Sequence, residues 1–423
     1  MKTSEISGFY KLSLKERLQI VKEFGDLTEE EAELLVSTGS LKLDLADRMI
    51  ENVIGAIPIP LGLAVNFLIN GKDYLVPMAI EEPSVVAAAS YAAKMARAKG
   101  GFHASSTDSI MIGQVQAVGI RNPYMARIAV LEAKDEILKK ANEQDPMLVS
   151  AGGGAKDIEV KVIEASTGPM VITELLVDCR DAMGANTVDT MAEAVAPMIE
   201  RITGGRVYLR IVSNLATKRL ARAWTVVAKE AVGGDEVVDG ILEAYAFASA
   251  DPYRAATHNK GILNGITAVV IATCNDHRAV EAGAHAYAAR SGRYMPLTVW
   301  EKNQDGDLVG SIELPMAIGI IGGATKVHPI AKIALKILSV KSARELGEVL
   351  AAVGLAQNLA ALRALAHEGI QRGHMRLHAR NLAIAVGATE ELTDLIVERM
   401  VEEKKIRLDR AQELIDEYKK GAK

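Results

Sequence analysis

The sequence predicts an α/β protein of the α+β type, with a large domain, an inserted smaller unit and a helical C-terminal segment. Between residues 110 and 213 the apolar patterns follow the order β-α-β-β-α-β, which is the ferredoxin-like or split βαβ arrangement. The stretch SVVAAASYAAKMARAKGG (84–101) predicts an Ala-rich helix that stops at its two glycines, and its small apolar side chains favour a central position. The chain after Gly373 is highly charged with helical patterning.

The elements before and after the inserted unit are predicted from caps and turns. Ser13 and Thr28 stand where N-caps of two helices are expected, between residues 14 and 50. Prolines, apolar alternation and the turn INGKD predict short strands within residues 51–84. RLARAWTVVAKEAV (219–232), DEVVDGILEAYAFASA (235–250) and HRAVEAGAHAYAARSG (277–292) predict three further helices. We expect four segments: large domain 1–108, inserted domain 109–215, large domain 216–370 and C-terminal segment 371–423.

Length and composition limit the class of protein. A chain of 423 residues, 49% of them hydrophobic, is expected to fill about two or three cores. The net charge of −5, with both signs intermixed, offers no basic face to a nucleic acid. No secretory signal and no uninterrupted apolar span long enough for a bilayer are found. Cys179 and Cys274 make neither a disulfide framework nor a zinc site, so we expect a cytoplasmic protein without a bound metal.

The stretch VDCRDAMGANTVDTMAEA (177–194) is a candidate anion site. A strand is predicted to end at Asp178, Gly184 lies in a turn, and a helix begins near Asn186. Backbone amides at a helix N-terminus, with a glycine that permits close approach, can hold a pyrophosphate. Neither GxGxxG nor GxxxxGK[ST] occurs, and IGIIGGATK fits neither fingerprint, so the residues alone leave open an ordinary turn.

The stretch HNKGILNG (258–265) places Lys260 before an apolar run that ends near Asp276. Such a lysine can polarise a carbonyl, stabilise an oxyanion or form a Schiff base, and it can also be a solvated loop residue. A helix or a strand pair could bring Asp276 back towards Lys260. Glu82 precedes the Ala-rich helix, where the helix dipole favours a carboxylate, or where partial burial lets it donate a proton. His374 is either a surface residue or a mobile general acid.

Six ordered motifs resemble the shorter, class II form of 3-hydroxy-3-methylglutaryl-CoA (HMG-CoA) reductase, over essentially the whole chain. They are ENVIG (51–55), EEPSVVAAAS (81–90), DAMGANT (181–187), HNKGILNG (258–265), NDHRAVEAGAHAYA (275–288) and EGIQRGHM (368–375). The resemblance implies an NAD(P)-dependent oxidoreductase that interconverts HMG-CoA with mevalonate and CoA. Two successive hydride transfers would pass through a hemithioacetal and mevaldehyde, in mevalonate synthesis or catabolism.

The same resemblance implies residue roles. Lys260 would stabilise negative charge on the thioester and aldehyde oxygen, and Glu82 would donate a proton in the aldehyde reduction. Asp276 would hydrogen-bond both, and His374 would protonate the departing CoA thiolate. Substrate contacts are expected from Glu51, Asn52, Ser84, Asn214, Arg254 and Asn264. Cofactor contacts are expected from Asp145, Asp181, Met183, Gly184, Ala185 and Asn186.

Cofactor choice and assembly are also implied by the resemblance. A carboxylate at Asp145 would accept from the ribose 2′-hydroxyl and repel a 2′-phosphate, which favours NAD over NADP. Coenzyme A enters only within substrate or product. The family implies a homodimer with shared active sites, sometimes assembled into a hexamer, in which ENVIG shapes the neighbouring site. A C-terminal flap would close over the substrates about a hinge at Gly369 and Gly373, and Tyr10 and Lys11 stand where relatives place an arginine towards CoA.

Two other functions remain open at this level. A lyase or aldolase would use Lys260 as a Schiff-base nucleophile, and borohydride trapping would reveal it. A non-catalytic CoA- or dinucleotide-binding protein would have no need of Glu82, Lys260, Asp276 and His374 together.

Overall fold

The computed structural model describes residues 2–368 and 370–421, and for residues 368, 370–377, 390, 391 and 419–421 it describes the backbone alone. Helices surround two separate β-sheets, and each sheet has its own apolar core. The helices at the C-terminal end enclose a third, smaller core. This mixed architecture confirms the predicted fold class.

The chain before residue 109 forms an N-terminal group of helices and half of the larger sheet. Its elements are α1 (Leu14–Gly25), α2 (Glu29–Val36), α3 (Leu43–Ala46), β1 (Leu61–Ile69), β2 (Lys72–Ala79), α4 (Val85–Arg97) and β3 (Phe102–Ser106). Ser13 and Thr28 begin α1 and α2 with full capping boxes, as predicted. Asn70 and Gly71 both have positive φ, the backbone that a two-residue hairpin turn between twisted strands requires.

Residues 110–213 form the smaller sheet and its helices. The elements are β4 (Ile110–Val118), α5 (Pro123–Glu132), α6 (Lys134–Asn142), α7 (Pro146–Ser150), β5 (Gly154–Ile163), β6 (Met170–Asp178), α8 (Ala185–Thr203) and β7 (Arg206–Ser213). The strand order β5-β6-β4-β7, antiparallel throughout, is the ferredoxin-like order. The predicted β-α-β-β-α-β sequence is confirmed, although the first helix is divided into three.

Residues 220–363 complete the larger sheet and cover it. The elements are β8 (Leu220–Val227), α9 (Lys229–Val232), α10 (Asp235–Ala250), α11 (Pro252–Ala272), α12 (His277–Ala288), β9 (Thr298–Lys302), β10 (Leu308–Pro315), α13 (Gly323–Val327), α14 (Pro329–Leu338) and α15 (Ala343–Arg363). The larger sheet has the order β2-β1-β3-β8-β10-β9. Within this sheet, strands β1 and β3 pair in parallel, and the other neighbouring strands pair antiparallel.

The prediction of a helix over residues 219–232 is wrong, because most of this segment forms strand β8. Its side chains alternate between more and less buried positions, with Ala221, Ala223, Thr225 and Val227 in the core. A period of two, together with β-branched and aromatic residues, is typical of a strand. The alanines and arginines suggested a helix, and the two-residue alternation overrides that preference.

The most deeply buried helix is α15, not the Ala-rich α4. Helix α4 buries one face, including Ala89 and Ala93, while Tyr91 on its other face is 45% exposed. Helix α15 packs against α11, α4 and β8. With the π-helical turn Ala364–Glu368 it is the one helix in the described ranges long and apolar enough to cross a membrane, but most of it is buried inside the protein. It is therefore the core helix of the large sheet.

The chain beyond the π-helical turn is helical, as predicted. It forms α16 (Ile370–Ala385), α17 (Glu390–Glu402) and α18 (Leu408–Gly421), which share a core that includes Ala383, Ile396 and Leu414. Of the two predicted hinge glycines, Gly369 lies outside the described residues. Gly373 lies inside α16.

Candidate active site

Lys260 and Glu82 form an ion pair where α11 passes the start of α4. Lys260 Nζ donates to Glu82 Oε2 at 2.8 Å, and Asn264 Nδ2 lies 3.3 Å from both carboxylate oxygens. Lys260 and Asn264 are four residues apart on α11, so they share one helix face. The Lys260 side chain is 62% exposed and thus open to a ligand. The structure therefore brings together two predicted catalytic residues and one predicted substrate-binding residue.

Ser84 lies next to this pair in an unusual conformation. It is the N-cap of α4 with φ of 76°, a left-handed backbone that non-glycine residues rarely adopt. Its Oγ is buried and has no hydrogen-bond partner among the described residues. A strained backbone and an unsatisfied buried hydroxyl both cost free energy, and such costs cluster at functional sites. Ser84 Oγ is thus available to a ligand.

Arg254 lies in the first turn of α11, about 9 Å along the helix axis from Lys260. The cap Asp251 accepts from its backbone amide, but no ion pair of the described chain involves its guanidinium. Burial lowers the pKa of Arg254, which shows that its cation is partly desolvated. A half-buried guanidinium without a carboxylate partner is a suitable group for an anionic ligand.

Helix α11 is anchored behind this site by a polar network in the core. His258 Nε2 and Thr298 Oγ1 are 2.7 Å apart, and Thr298 donates to Asn358 Oδ1 at 2.9 Å. Trp300 Nε1 donates to the same oxygen at 2.7 Å. Burial lowers the pKa of His258 to about 3, with a smaller effect from the Arg254 charge, so its imidazole is neutral. The network orients α11 and hence Lys260.

Gln357 was not among the predicted residues, yet it lies beside this face. A Cβ at Gly265 would come within 3.0 Å of Gln357 Cβ, so the glutamine packs directly against α11 next to Asn264. Gln357 Oε1 is buried and unpaired within the described part of the chain. The adjacent amides of Gln357 and Asn358 inside the otherwise apolar stretch VLAAVGLAQNLAAL (349–362) were the signal in the sequence.

Asp276 is not brought to Lys260 within one chain. Its carboxylate caps α12, accepting from the amides of Arg278 and Ala279, and it pairs with the Arg278 guanidinium at 3.3 Å. The apolar run between the two residues is helical, and α11 continues from Lys260 to Ala272, a rise of about 18 Å. The helix therefore separates the two residues instead of folding one back onto the other.

The remaining predicted substrate and acid residues do not join the Glu82–Lys260 pair. Glu51 and Asn52 lie in an exposed irregular segment, and no hydrogen bond of the described chain links them to the pair. Asn214 follows β7, and its backbone carbonyl packs against Gly283 of α12. A Cβ at Gly283 would lie only 2.5 Å from that carbonyl oxygen. The backbone of His374 lies in α16, and its side chain is outside the described residues.

The turn before α8 has the geometry of an anion site. Gly184 caps this 19-residue helix with φ of 101°, and a Cβ there would lie 2.2 Å from Cys179 Sγ. Only glycine fits, because the turn passes directly over the buried thiol. Burial raises the pKa of Cys179 to about 12, so it adds no negative charge under the turn. The amides at the start of α8, including those of Ala185 and Asn186, lack helical partners and suit a pyrophosphate.

Asp181 and Asp145 hold this region in place. Asp181 Oδ1 accepts from the Ala343 amide at 2.8 Å, which ties the turn to the start of α15. Asp145 caps α7, accepting from the Leu148 amide at 2.9 Å. The Asp145 charge contributes to the raised pKa of Cys179, so its carboxylate lies within electrostatic reach of the turn.

The glycine-containing loop IGIIGGATK (318–326), which matched neither nucleotide fingerprint in the sequence, lies against the same turn. The Ile320 amide donates to the Asp181 carbonyl at 2.9 Å, and Ala182 bridges to Ile321. The Asn275 side chain binds both backbone groups of Gly319, at 2.7 and 3.0 Å. This loop therefore connects the turn to the residue that precedes Asp276. The turn before α8 and Asp276 of one chain thus lie beyond the C-terminal end of α11, whereas Lys260 lies about 18 Å back along this helix.

Comparisons with known proteins agree on one family. The family model for hydroxymethylglutaryl-coenzyme A reductase matches residues 13–379. The Archaeoglobus fulgidus 3-hydroxy-3-methylglutaryl-coenzyme A reductase is 64% identical over 414 residues, covering 98% of this chain and 94% of that protein. A Streptococcus pneumoniae HMG-CoA reductase structure superimposes with a TM-score of 0.84 at 41% identity, covering 97% and 99% of the two chains. A class II structure from the same organism, bound to NADPH in open conformations, has a TM-score of 0.82 at 41% identity, covering 96% of this chain and all of the other.

The fold and the match to class II structures define an oxidoreductase that uses a nicotinamide cofactor. The chain belongs to the HMG-CoA reductase family. It interconverts HMG-CoA with mevalonate and CoA by two successive hydride transfers. The Schiff-base lyase and the non-catalytic binding protein are thereby set aside.

Proposed function

We propose that Glu82 and Lys260 carry out the proton and charge chemistry of this reduction. The observation that supports the proposal is the 2.8 Å ion pair, braced by Asn264 and open to solvent on the lysine side. When bound, the nicotinamide supplies the hydride of each transfer. The thioester or aldehyde oxygen then becomes negative, and the Lys260 ammonium donates a hydrogen bond to it. In the aldehyde reduction Glu82, once it has taken up a proton from solvent, donates that proton to the alkoxide oxygen, because its carboxyl group lies within hydrogen-bond reach of the same ammonium.

The acid end of the substrate is proposed to bind Arg254 and Ser84. Arg254 has a half-buried guanidinium without a carboxylate partner in the described chain, and Ser84 has a buried hydroxyl in the same condition. A carboxylate would satisfy both, since guanidinium and hydroxyl groups are donors that match its oxygens. Asn264, Gln357 and Asn214 are proposed to complete the contacts to the substrate hydroxyl and carboxylate.

The CoA arm is proposed to follow the exposed face of α4. A cavity of about 750 Å³ runs between this face and the N-terminal segment, and its lining includes Val86, Ala87, Tyr91 and Lys94. Val86 is two residues from Ser84, and Lys94 lies about 12 Å further along the helix. The walls are mostly apolar, and Lys94 and Arg17 contribute cations, a combination that suits a pantetheine arm ending in phosphates. Protonation of the departing thiolate is proposed for His374, because a thiol with pKa near 8.5 leaves more readily with an acid beside it.

Each active site is proposed to combine two chains. Asp276 and the turn before α8 lie beyond the C-terminal end of α11, about 18 Å along the helix from Lys260, which supports a contribution from a second chain. The segment that carries Glu51 and Asn52 also exposes apolar side chains, with Ile54 and Ile57 at least 92% exposed. Exposed apolar segments of this kind mark interfaces. A homodimer would cover the segment and place a partner's Asp276 beside Lys260, and such dimers could assemble into a hexamer.

NADH is proposed as the preferred cofactor. The Asp145 carboxylate lies near the turn that would hold the pyrophosphate, and only one of its oxygens caps α7. The other oxygen can accept from a ribose 2′-hydroxyl, and its charge opposes a 2′-phosphate. NADP is the alternative, because the half-exposed Arg180 on the same turn could pair with a 2′-phosphate. An Asp145→Asn variant is expected to raise the NADPH/NADH ratio of kcat/KM by about tenfold.

The segment boundaries and cell location complete the proposal. Residues 1–108 and 216–370 would form the substrate domain, residues 109–215 the cofactor domain and residues 371–423 the flap. The separate apolar cores of the two sheets and of the C-terminal helices support this division. The free Cys179 and Cys274 support a reducing, cytoplasmic location.

The test is the absorbance of the reduced nicotinamide with mevalonate and CoA, run with NAD⁺ and with NADP⁺. We expect reduction of NAD⁺ that stops when mevalonate is omitted. Faster reduction of NADP⁺ would keep the reaction and overturn the role of Asp145. Activity unchanged in both Lys260→Met and Glu82→Gln would overturn the proposed chemistry.

A further inference from the structure

Arg219 is a buried cation whose hydrogen bonds all go to backbone carbonyls. It precedes β8 and is 5% exposed. Its Nη1 donates to the carbonyls of Ala182 and Met183, each at 3.0 Å, and Nη2 donates to the carbonyl of Ile318. No ion pair in the described ranges involves it, and Asp178 and Asp181 act on it only through space. One side chain thus joins the turn before α8 to the glycine-containing loop.

A structural link alone does not require a charge here. Burying a guanidinium without a hydrogen-bonded carboxylate is costly, and apolar side chains of similar volume often stabilise such positions better. Burial lowers the pKa of Arg219, but arginine stays protonated at neutral pH, so the cost is borne in the folded protein. A nearby negative ligand would offset that cost.

The hydrogen bonds of Arg219 also set the direction of two backbone amides. In a trans peptide unit the N–H points opposite to the C=O. Because Arg219 binds the carbonyls of residues 182 and 183, the amides of Met183 and Gly184 must point away from it. No backbone hydrogen bond of the described chain uses either amide as donor. The amides of Met183 and Gly184 directly precede the unpaired amides at the start of α8, so together they form one continuous set of N–H donors.

The glycine-containing loop packs closely against the turn. A Cβ at Gly319 would lie 2.6 Å from the Met183 nitrogen and 3.0 Å from the Asp181 carbonyl oxygen. Asn275 holds both backbone groups of Gly319, and Arg219 holds the preceding carbonyl. The turn is therefore held both by a buried cation and by a clamped backbone.

We propose that Arg219 is a positioning residue for the dinucleotide. It directs the amides of Met183 and Gly184 towards the pyrophosphate and places a positive charge behind them. The proposal rests on the placement of the dinucleotide at this turn, as proposed above. Arg219 would not touch the substrate, so its effect should fall on cofactor binding.

The first experiment compares Arg219→Gln and Arg219→Lys with wild type. We expect Arg219→Gln to raise both the KM and the Kd for NADH by about tenfold or more, with the KM for HMG-CoA changed less than about twofold. The Kd comes from quenching or enhancement of NADH fluorescence, which needs no turnover. Arg219→Lys keeps the charge and should recover part of the affinity. The matched control is Arg222→Gln. Arg222 lies on β8 and forms an ion pair with Glu313 at 2.5 Å instead of binding the turn.

A second variant keeps the proposal testable if Arg219→Gln does not fold. Gly319→Ala leaves the arginine in place but pushes against Met183, so we expect the same selective loss of NADH affinity. An unchanged NADH Kd in a folded Arg219→Gln or Gly319→Ala protein would overturn the role of Arg219. So would an equal rise in the KM for both substrates.

Failure of the cofactor site itself would look different. Gly184→Ala forces a Cβ into Cys179 Sγ and distorts the turn directly. If NADH binds Gly184→Ala as well as wild type, the dinucleotide does not use this turn, and both proposals fall. If Gly184→Ala loses NADH affinity and Arg219→Gln keeps it, only the role of Arg219 is overturned.

Discussion

Ser84 combines a left-handed backbone with a buried hydroxyl that no described group satisfies. The two features allow its structural and binding roles to be separated. Ser84→Gly removes the hydroxyl and relieves the backbone strain. Ser84→Ala also removes the hydroxyl but leaves the backbone strain in place. We expect both variants to raise the KM for HMG-CoA by about tenfold or more, through loss of a hydrogen bond to a charged group.

The stabilities of the two Ser84 variants should differ. The free energy of unfolding of Ser84→Gly should exceed that of Ser84→Ala by about 1 kcal/mol, since glycine adopts positive φ without a steric cost. Urea denaturation would measure the difference. An unchanged KM in both variants would show that Ser84 Oγ is not a substrate ligand.

The proposed stabilisation of the oxyanion depends on Lys260. In Lys260→Met the oxyanion loses its charged donor, so we expect kcat to fall by about 10²–10³ while the KM for HMG-CoA changes far less. Steady-state kinetics would measure both. Lys302→Met is the matched control, because Lys302 pairs with Asp239 on the surface, far along the chain from the site. A loss confined to KM would mean that Lys260 only binds substrate.

Helix α11 carries Lys260 and Asn264 on one face and a neutral histidine in the core. Burial lowers the pKa of His258 to about 3, below that of the unfolded chain, near 6.5. The unfolded state therefore takes up a proton that the folded state refuses, and stability falls as the pH drops below about 6.5. At pH 5.5 the loss from this one group is about 1.4 kcal/mol relative to pH 7.5.

The check is the pH dependence of urea denaturation in wild type and His258→Asn. The variant lacks the titrating imidazole, so its stability should fall by about 1.4 kcal/mol less than that of wild type between pH 7.5 and 5.5. His285→Asn is a suitable control, since His285 is exposed and bonds Tyr294 instead of the core network. Parallel pH profiles for His258→Asn and wild type would show that the pKa of His258 is the same in the folded and the unfolded protein.

At the level of elements, the sequence was most informative where periodicity and caps agreed. The capping boxes at Ser13 and Thr28 and the alternation within residues 110–213 predicted their elements correctly, because those signals are local. Strand β8 was mistaken for a helix because its alanines favour a helix while its burial depends on sheet neighbours. The central position of α15 also depends on packing against α4, α11 and β8, which no local pattern records.

At the level of the whole molecule, the types of the candidate site residues could be predicted from the sequence, but their positions relative to one another could not. The juxtaposition of Glu82, Lys260 and Asn264 agrees with the motifs that predicted them. The apolar run between Lys260 and Asp276 left helix and strand pair open, and only the observed single helix shows that the two residues lie far apart in one chain. The contact between the glycine-containing loop and residues 181–183 joins segments more than a hundred residues apart, so no local pattern could reveal it.

The proposed sharing of active sites between two chains leads to a complementation test. Lys260→Met and Asp276→Ala should each be inactive alone, because every site of either homodimer lacks one group. In a mixed dimer, one site combines the intact Lys260 of one chain with the intact Asp276 of the other, and the second site lacks both. If the chains assort at random, the mixture should regain about a quarter of wild-type activity.

The measurement is the rate of NAD⁺ reduction after the two variants are co-expressed, or unfolded and refolded together. Lys260→Met mixed with Glu82→Gln is the control, since those two residues come from the same chain and no mixed dimer restores both. Recovery with Asp276→Ala but not with Glu82→Gln would place Lys260 and Asp276 of each site on different chains. No recovery in either mixture, from dimers shown to exchange subunits, would mean that the Lys260 and Asp276 of each site come from the same chain.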